Sequence, residues 1–223
     1  MSAQLSLSGR RIPLAVKLAF TAFTGVVVVV FCDLYGPAVL CYFCDVALLL
    51  TLLALWTESP LVASMAAVGI LIPQFLWLAD FLSGANLVGM TAYMYDSTYP
   101  LYARGLTLFH GWLPLLLIWL VYRLGYDRRA LPAYILLAWG LILGSYFWLP
   151  GPPVDPVRPL RSININYVYG ISNEPQTWMH AYLWVLLLMV ALPLCFYLPT
   201  HLALARLCGR EILVSQPQDL TPM

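Results

Sequence analysis

Polar residues interrupt this chain at only a few places, and long apolar runs lie between them. Six runs reach the roughly 20 residues that a bilayer-spanning helix needs: 13–31, 36–56, 61–82, 101–123, 130–149 and 180–203. The breaks carry turn and polar residues, among them "TESP", "LGYDRR" and a long segment that begins "PGPPVDPVRP". None of the runs alternates like a barrel strand, and helices satisfy every backbone group within hydrocarbon. The pattern predicts an all-α polytopic membrane protein, a bundle of about six transmembrane helices. One transmembrane domain is expected over 13–208, with short tails at 1–12 and 209–223.

Composition agrees with that class. Hydrophobic residues make up 62% of the 223, charged residues only 9%, and the mean hydropathy is +0.83. Soluble domains carry about 25% charged residues. A net charge of +1 offers no nucleic-acid surface, so the expected partner is membrane lipid. The first run follows Arg10 and Arg11 but precedes no small-x-small cleavage site, which predicts an uncleaved first helix.

Lys and Arg set the orientation. With the N-terminus cytoplasmic, Arg10, Arg11, Lys17, Arg123, Arg128, Arg129, Arg206 and Arg210 fall inside, and only Arg104, Arg158 and Arg161 fall outside. Eight against three favours both termini cytoplasmic. The long loop before the last run opens stiffly with prolines and turns into "SININYVYG". It is either a solvated connector or a flap that folds back over the outer mouth of the bundle and supplies amides and phenols.

Ionisable groups cluster toward one face. At a rise of about 1.5 Å per residue, Cys44 lies about 12 Å and His110 about 14 Å from the outer surface. Asp80 ends the third run, and His180 opens the sixth on the same side. A central Asp is costly in a membrane and by default faces the bundle with a partner, so Asp45 is expected to bond to another helix and orient a neighbour. Cys41 and Cys44, at i and i+3, are expected on one helix face. They read as buried small hydrophobes, a redox couple, or a thiol nucleophile beside a base. A zinc site from Cys41, Cys44, His110 and His180 ranks below these, since the spacing fits no compact signature, and no metal or cofactor is expected. Five cysteines, Cys32, Cys41, Cys44, Cys195 and Cys208, are split between the two ends of the chain and do not suggest a disulfide framework. His201 is taken as an interface residue.

Four short segments, "GPAVLCYFCDVALLLTLLALW", "AVGILIPQFLWLADFL", "LTLFHGWLP" and "NINYVYGISNEP", together resemble a group of bacterial six-helix integral membrane proteins. That group is related to a eukaryotic transmembrane glycerophospholipid acyltransferase. The resemblance covers about residues 30–185. Ala79 stands where the family has proline before Asp80, and "QTWMHAYLW" replaces its aromatic-proline run. The resemblance implies a cytoplasmic (inner) membrane protein with a cysteine acyl intermediate on a lipid substrate, Cys44 being acylated and His110 its base. Asn164, Asn166 or Tyr167 would donate to the tetrahedral oxyanion, with Asp45, Asp80 and His180 orienting or binding substrate. Two alternatives stay open: a quinone-linked thiol oxidoreductase built on Cys41 and Cys44, and a non-enzymatic lipid- or partner-binding membrane protein.

Overall fold

The computed structural model describes residues 12–153, 156–172 and 174–208. The expected tails, apart from Ile12, lie outside these residues, as do Arg10, Arg11 and Arg210. Every regular element among the described residues is helical. Five helices are long and apolar enough to cross a membrane. They are α1 (Leu14–Tyr35), α3 (Pro60–Leu82), the joined α4 (Leu101–Thr107) and α5 (Phe109–Leu124), α6 (Ala130–Trp148), and α7 (Ala181–Leu192), which runs through a π-turn at Pro193–Tyr197 into α8 (Leu198–Cys208). Their exposed faces carry large apolar side chains such as Leu18, Val29, Leu115, Leu136 and Leu187, a surface suited to lipid. The chain is an integral membrane protein.

The second apolar run departs from its expected form. Pro37 starts a five-residue 3-10 turn (Pro37–Cys41), Tyr42 is extended (φ −62°, ψ 143°), and only then does α2 (Phe43–Thr57) begin. Cys44 is therefore the second residue of a helix instead of the ninth. Cys41 ends the preceding turn, so the two thiols do not share one α-helical face. The fourth run is also broken, at Leu108, and the sixth extends to Cys208.

α3 is the central helix. Over its most apolar stretch 56% of residues are buried, against 17–39% for the other four spans. Small residues allow this: Ala63, Ser64, Ala66 and Ala67 are all fully buried, and small faces let helix backbones approach closely. Gly69 takes this furthest, since a Cβ there would overlap the ring of fully buried Tyr134 on α6.

Contacts between helix ends fix which ends lie together. At the start of α1, Lys17 pairs with Glu58 just after α2 at 2.7 Å, and the Ile12 N–H donates to the same oxygen at 3.2 Å. On that side the Asp127 N–H donates to Ser64 Oγ (3.0 Å), and Tyr126 hydrogen-bonds His201 (2.7 Å). At the opposite end, Ser162 N–H donates to the Tyr35 carbonyl at 2.8 Å.

The middle of the long loop, 163–170, is mostly packed, whereas 156–159 and most described residues of 171–178 are exposed. Ile163, Asn164, Ile165, Asn166 and Val168 are buried. Asn164, Asn166 and Tyr167 adopt left-handed backbone at φ 52°, 57° and 61°, which Asn tolerates well and a bulky Tyr does not. Three bonds anchor the segment: Tyr42 Oη to Ile163 O (3.3 Å), Trp184 Nε1 to Tyr167 O (2.8 Å), and Tyr169 Oη to Tyr146 O (2.9 Å).

Candidate functional site

Where this loop meets α2, α3 and α5, it roofs a cavity of about 370 Å³. Cys44, Asp45, His110, Asn166 and Tyr167 all line it. Of the other sequence candidates, Asp80, Asn164 and His180 do not.

The position of Cys44 follows from Asn166. Its Oδ1 accepts from Phe43 N–H (3.0 Å), and its Nδ2 donates to the Cys41 carbonyl (2.9 Å) and to Ser145 Oγ (3.3 Å). The carboxamide thus spans the interruption at Tyr42 and fixes the first turn of α2. The first N–H groups of any helix lack intrahelical partners, and the N-terminus favours negative charge. Here that terminus opens on the cavity. The thiol of Cys44 donates to Asp45 Oδ2 at 3.5 Å.

Asp45 differs from expectation. Instead of bonding to another helix, its carboxyl group receives only the neighbouring thiol, and Oδ1, fully buried, has no partner among the described residues.

His110 is held by the break between α4 and α5. Gly111 N–H reaches back only to Leu108 O (2.9 Å), which leaves the Thr107 carbonyl to the His110 ring, with Nδ1 at 2.7 Å. A carbonyl only accepts, so Nδ1 carries a hydrogen, and in the neutral ring Nε2 presents a lone pair. Trp77 stacks on the ring with centroids 4.8 Å apart at 20°. Trp77 stacks in turn on Phe81, and Phe81 on Tyr95, so one aromatic column links the histidine to the loop after α3. No Cys44–His110 hydrogen bond joins the two groups across the cavity.

The remaining candidates serve the scaffold. Asp80 Oδ1 accepts from the N–H groups of Leu87, Val88 and Gly89, and Oδ2 from Thr91 N–H and Oγ1, at 2.7–3.1 Å. Both oxygens are committed to folding the loop that carries Tyr93. Asn164 donates to Gly170 O and Ser172 O and accepts from Tyr169 N–H. Neither Asn164 nor Asn166 therefore has an N–H left for an oxyanion, whereas the Tyr167 hydroxyl has no such commitment among the described residues. His180 is exposed and caps α7, its ring nitrogen accepting from Tyr182 N–H at 3.4 Å. All five cysteines are free thiols. Among the described residues, no three His, Cys, Asp or Glu side chains are grouped to hold a metal ion.

Sequence reasoning passed over much of the cavity wall, including Gln74, Trp77, Tyr93 and Arg161. Gln74 carried a legible signal, being a carboxamide in the middle of the apolar run "LIPQFLW". Tyr93 accepts from Trp77 Nε1 at 3.2 Å, and burial pushes its phenol up, which keeps it a hydrogen-bond donor. No family model, curated protein or solved structure matches the chain.

Proposed function

We propose that the chain crosses the membrane six times with both termini cytoplasmic, and that it is an acyltransferase acting on membrane lipid through Cys44. Fifteen residues of α2 rise about 22 Å at about 1.5 Å each. The 3-10 turn adds about 10 Å, so the second run matches a hydrocarbon core of about 30 Å. The contacts of Glu58 with the start of α1 support the same reading, and the end that holds Lys17, Arg123, Arg128 and Arg129 is the cytoplasmic one by the positive-inside rule.

The chemistry rests on one observation: a thiol at a helix N-terminus and a histidine whose Nδ1 is bonded to the Thr107 carbonyl line the same cavity. The Cys44 sulfur attacks the ester carbonyl carbon of a lipid, and its proton passes to His110 Nε2. The tetrahedral oxyanion collapses, the carbon–oxygen bond breaks, and the leaving alkoxide takes the proton from His110. An acceptor hydroxyl then attacks the acyl thioester by the same steps in reverse and regenerates the thiol. Thr107 orients the base as the third member of a triad would. The α2 N-terminus and the hydroxyls of Tyr167 and Tyr93 are the available donors for the oxyanion.

The test uses purified protein in nanodiscs with a phospholipid labelled in its acyl chain. Hydroxylamine-sensitive label on the protein is expected, absent from Cys44→Ala and formed about 10²–10⁴-fold more slowly in His110→Gln. Equal labelling of the parent and Cys44→Ala overturns the reading.

A further inference from the structure

Trp77 is held at two points. Its indole lies on the His110 ring, with centroids 4.8 Å apart at 20°, and its Nε1–H donates to the Tyr93 hydroxyl at 3.2 Å. Trp77 is buried, and a buried indole N–H needs a partner; Tyr93 supplies it. Tyr93 stands in the loop after α3, which is pinned on both sides of it. Before it, Asp80 collects the N–H groups of Leu87, Val88, Gly89 and Thr91. After it, Arg104 Nη1 donates to the Met94 carbonyl at 2.9 Å. Trp77 and Asp80 are both buried on α3, and residues three apart share a helix face. The helix thus sends Trp77 to the histidine and Asp80 to the loop, and the loop returns Tyr93 to Trp77.

The final side-chain torsion of a histidine is broad. The contact of Nδ1 with the Thr107 carbonyl at 2.7 Å fixes one atom of the ring and leaves a tilt about that atom. A flat indole against the ring removes the tilt, because the two faces must stay parallel to remain stacked. We propose that Tyr93 and Trp77 are positioning residues for His110. The Tyr93–Trp77 hydrogen bond holds the indole, the indole holds the plane of the imidazole, and the loop after α3 thereby aims Nε2. As a device for catalysis this rests on the acyl-transfer reading; as a determinant of ring orientation it does not. A misplacement of about 1 Å costs a reaction as much as about 10²-fold, so a loop beyond the end of α3 bears on chemistry in the cavity.

Two variants cut the link at different points. Tyr93→Phe keeps the ring and removes the acceptor; Trp77→Phe keeps a stacking ring and removes the N–H. The chain has three histidines, so proton–carbon spectra of nanodisc-embedded protein labelled in its histidine rings resolve His110, with His110→Gln as the assignment. In the parent one sharp His110 signal is expected, displaced upfield by the indole face. In Tyr93→Phe it should broaden, double or lose part of that displacement. Labelling of Cys44 from an acyl-labelled phospholipid should slow about 10–10²-fold in either variant. In the double variant the loss should fall well short of the product of the two, as for residues that share one link. An unmoved, sharp His110 signal in Tyr93→Phe overturns the proposal. Losses that multiply overturn it too, since they leave Tyr93 as an oxyanion donor alone. If Tyr93→Phe does not fold, the spectrum of Trp77→Phe decides: one sharp His110 signal overturns the proposal, and a broadened or doubled one supports it. A disturbed His110 signal together with no labelling of Cys44 in the parent sinks the acyl-transfer reading alone.

Discussion

Replacing Asn166 separates the roles of the loop and of α2. Asn166→Ala leaves Phe43 N–H and the Cys41 carbonyl without their partners in a half-buried setting, at about 1–3 kcal/mol each. The bond to Ser145 at 3.3 Å is long and adds little. Alanine at φ 57° also pays about 1 kcal/mol for left-handed backbone. The expected loss is about 3–7 kcal/mol. Asn166→Gly escapes the backbone penalty and should recover about 1 kcal/mol of it. Asn166→Asp can still accept from Phe43 N–H but has no hydrogen for Cys41 O, and should fall between parent and Ala. Unfolding in mixed micelles titrated with denaturing detergent gives the stability order. The alkylation rate of Cys44 by a neutral maleimide reports fraying of the first turn of α2 and should rise in the same order. A Cys44 rate unchanged in Asn166→Ala, with stability within about 1 kcal/mol of the parent, refutes the view that this carboxamide positions the thiol.

Gly69→Ala drives a methyl into the fully buried Tyr134 ring and should cost about 1–3 kcal/mol as overpacking does; Tyr134→Leu in the same chain should restore part of that loss in the same detergent titration. Tyr134→Phe removes a buried hydroxyl that has no partner among the described residues, so it should be neutral or stabilising by up to about 1 kcal/mol. Asp80→Ala removes five acceptor contacts, and hydrogen exchange should show the amides of Leu87–Thr91 losing protection while α3 and α5 keep theirs. Retained protection in that segment contradicts the reading of Asp80 as the organiser of the loop.

Element type was legible because it depends on composition: uninterrupted apolar runs leave helices as the only satisfied backbone in hydrocarbon. The positions of Cys44 and His110 on one cavity were reached from counting along helices, although the count for Cys44 started from the wrong residue. Pro37 and an extended Tyr42 shift the start of α2 to Phe43, and no period in "GPAVLCYFC" announces that. The partners of Asp80 were out of reach because all but the Thr91 hydroxyl are backbone groups, whose pairing no side-chain pattern announces. The same holds for Asn166, whose bonds at 41 and 43 cross more than 120 residues of sequence. Asp45 misled for a different reason: an intramembrane carboxylate implies a partner, but sequence does not say that the neighbouring thiol supplies it. Gln74 was visible in the run and follows the same rule.

The central claim is that Cys44, of the five cysteines, carries the acyl group. Mass mapping of peptides after brief incubation with an activated lipid ester, quenched in acid, tests it directly. The account predicts an acyl adduct on the peptide bearing Cys44, removed by hydroxylamine and unaffected by Cys41→Ser. An adduct on Cys41, or none on Cys44 while His110 is intact, contradicts it.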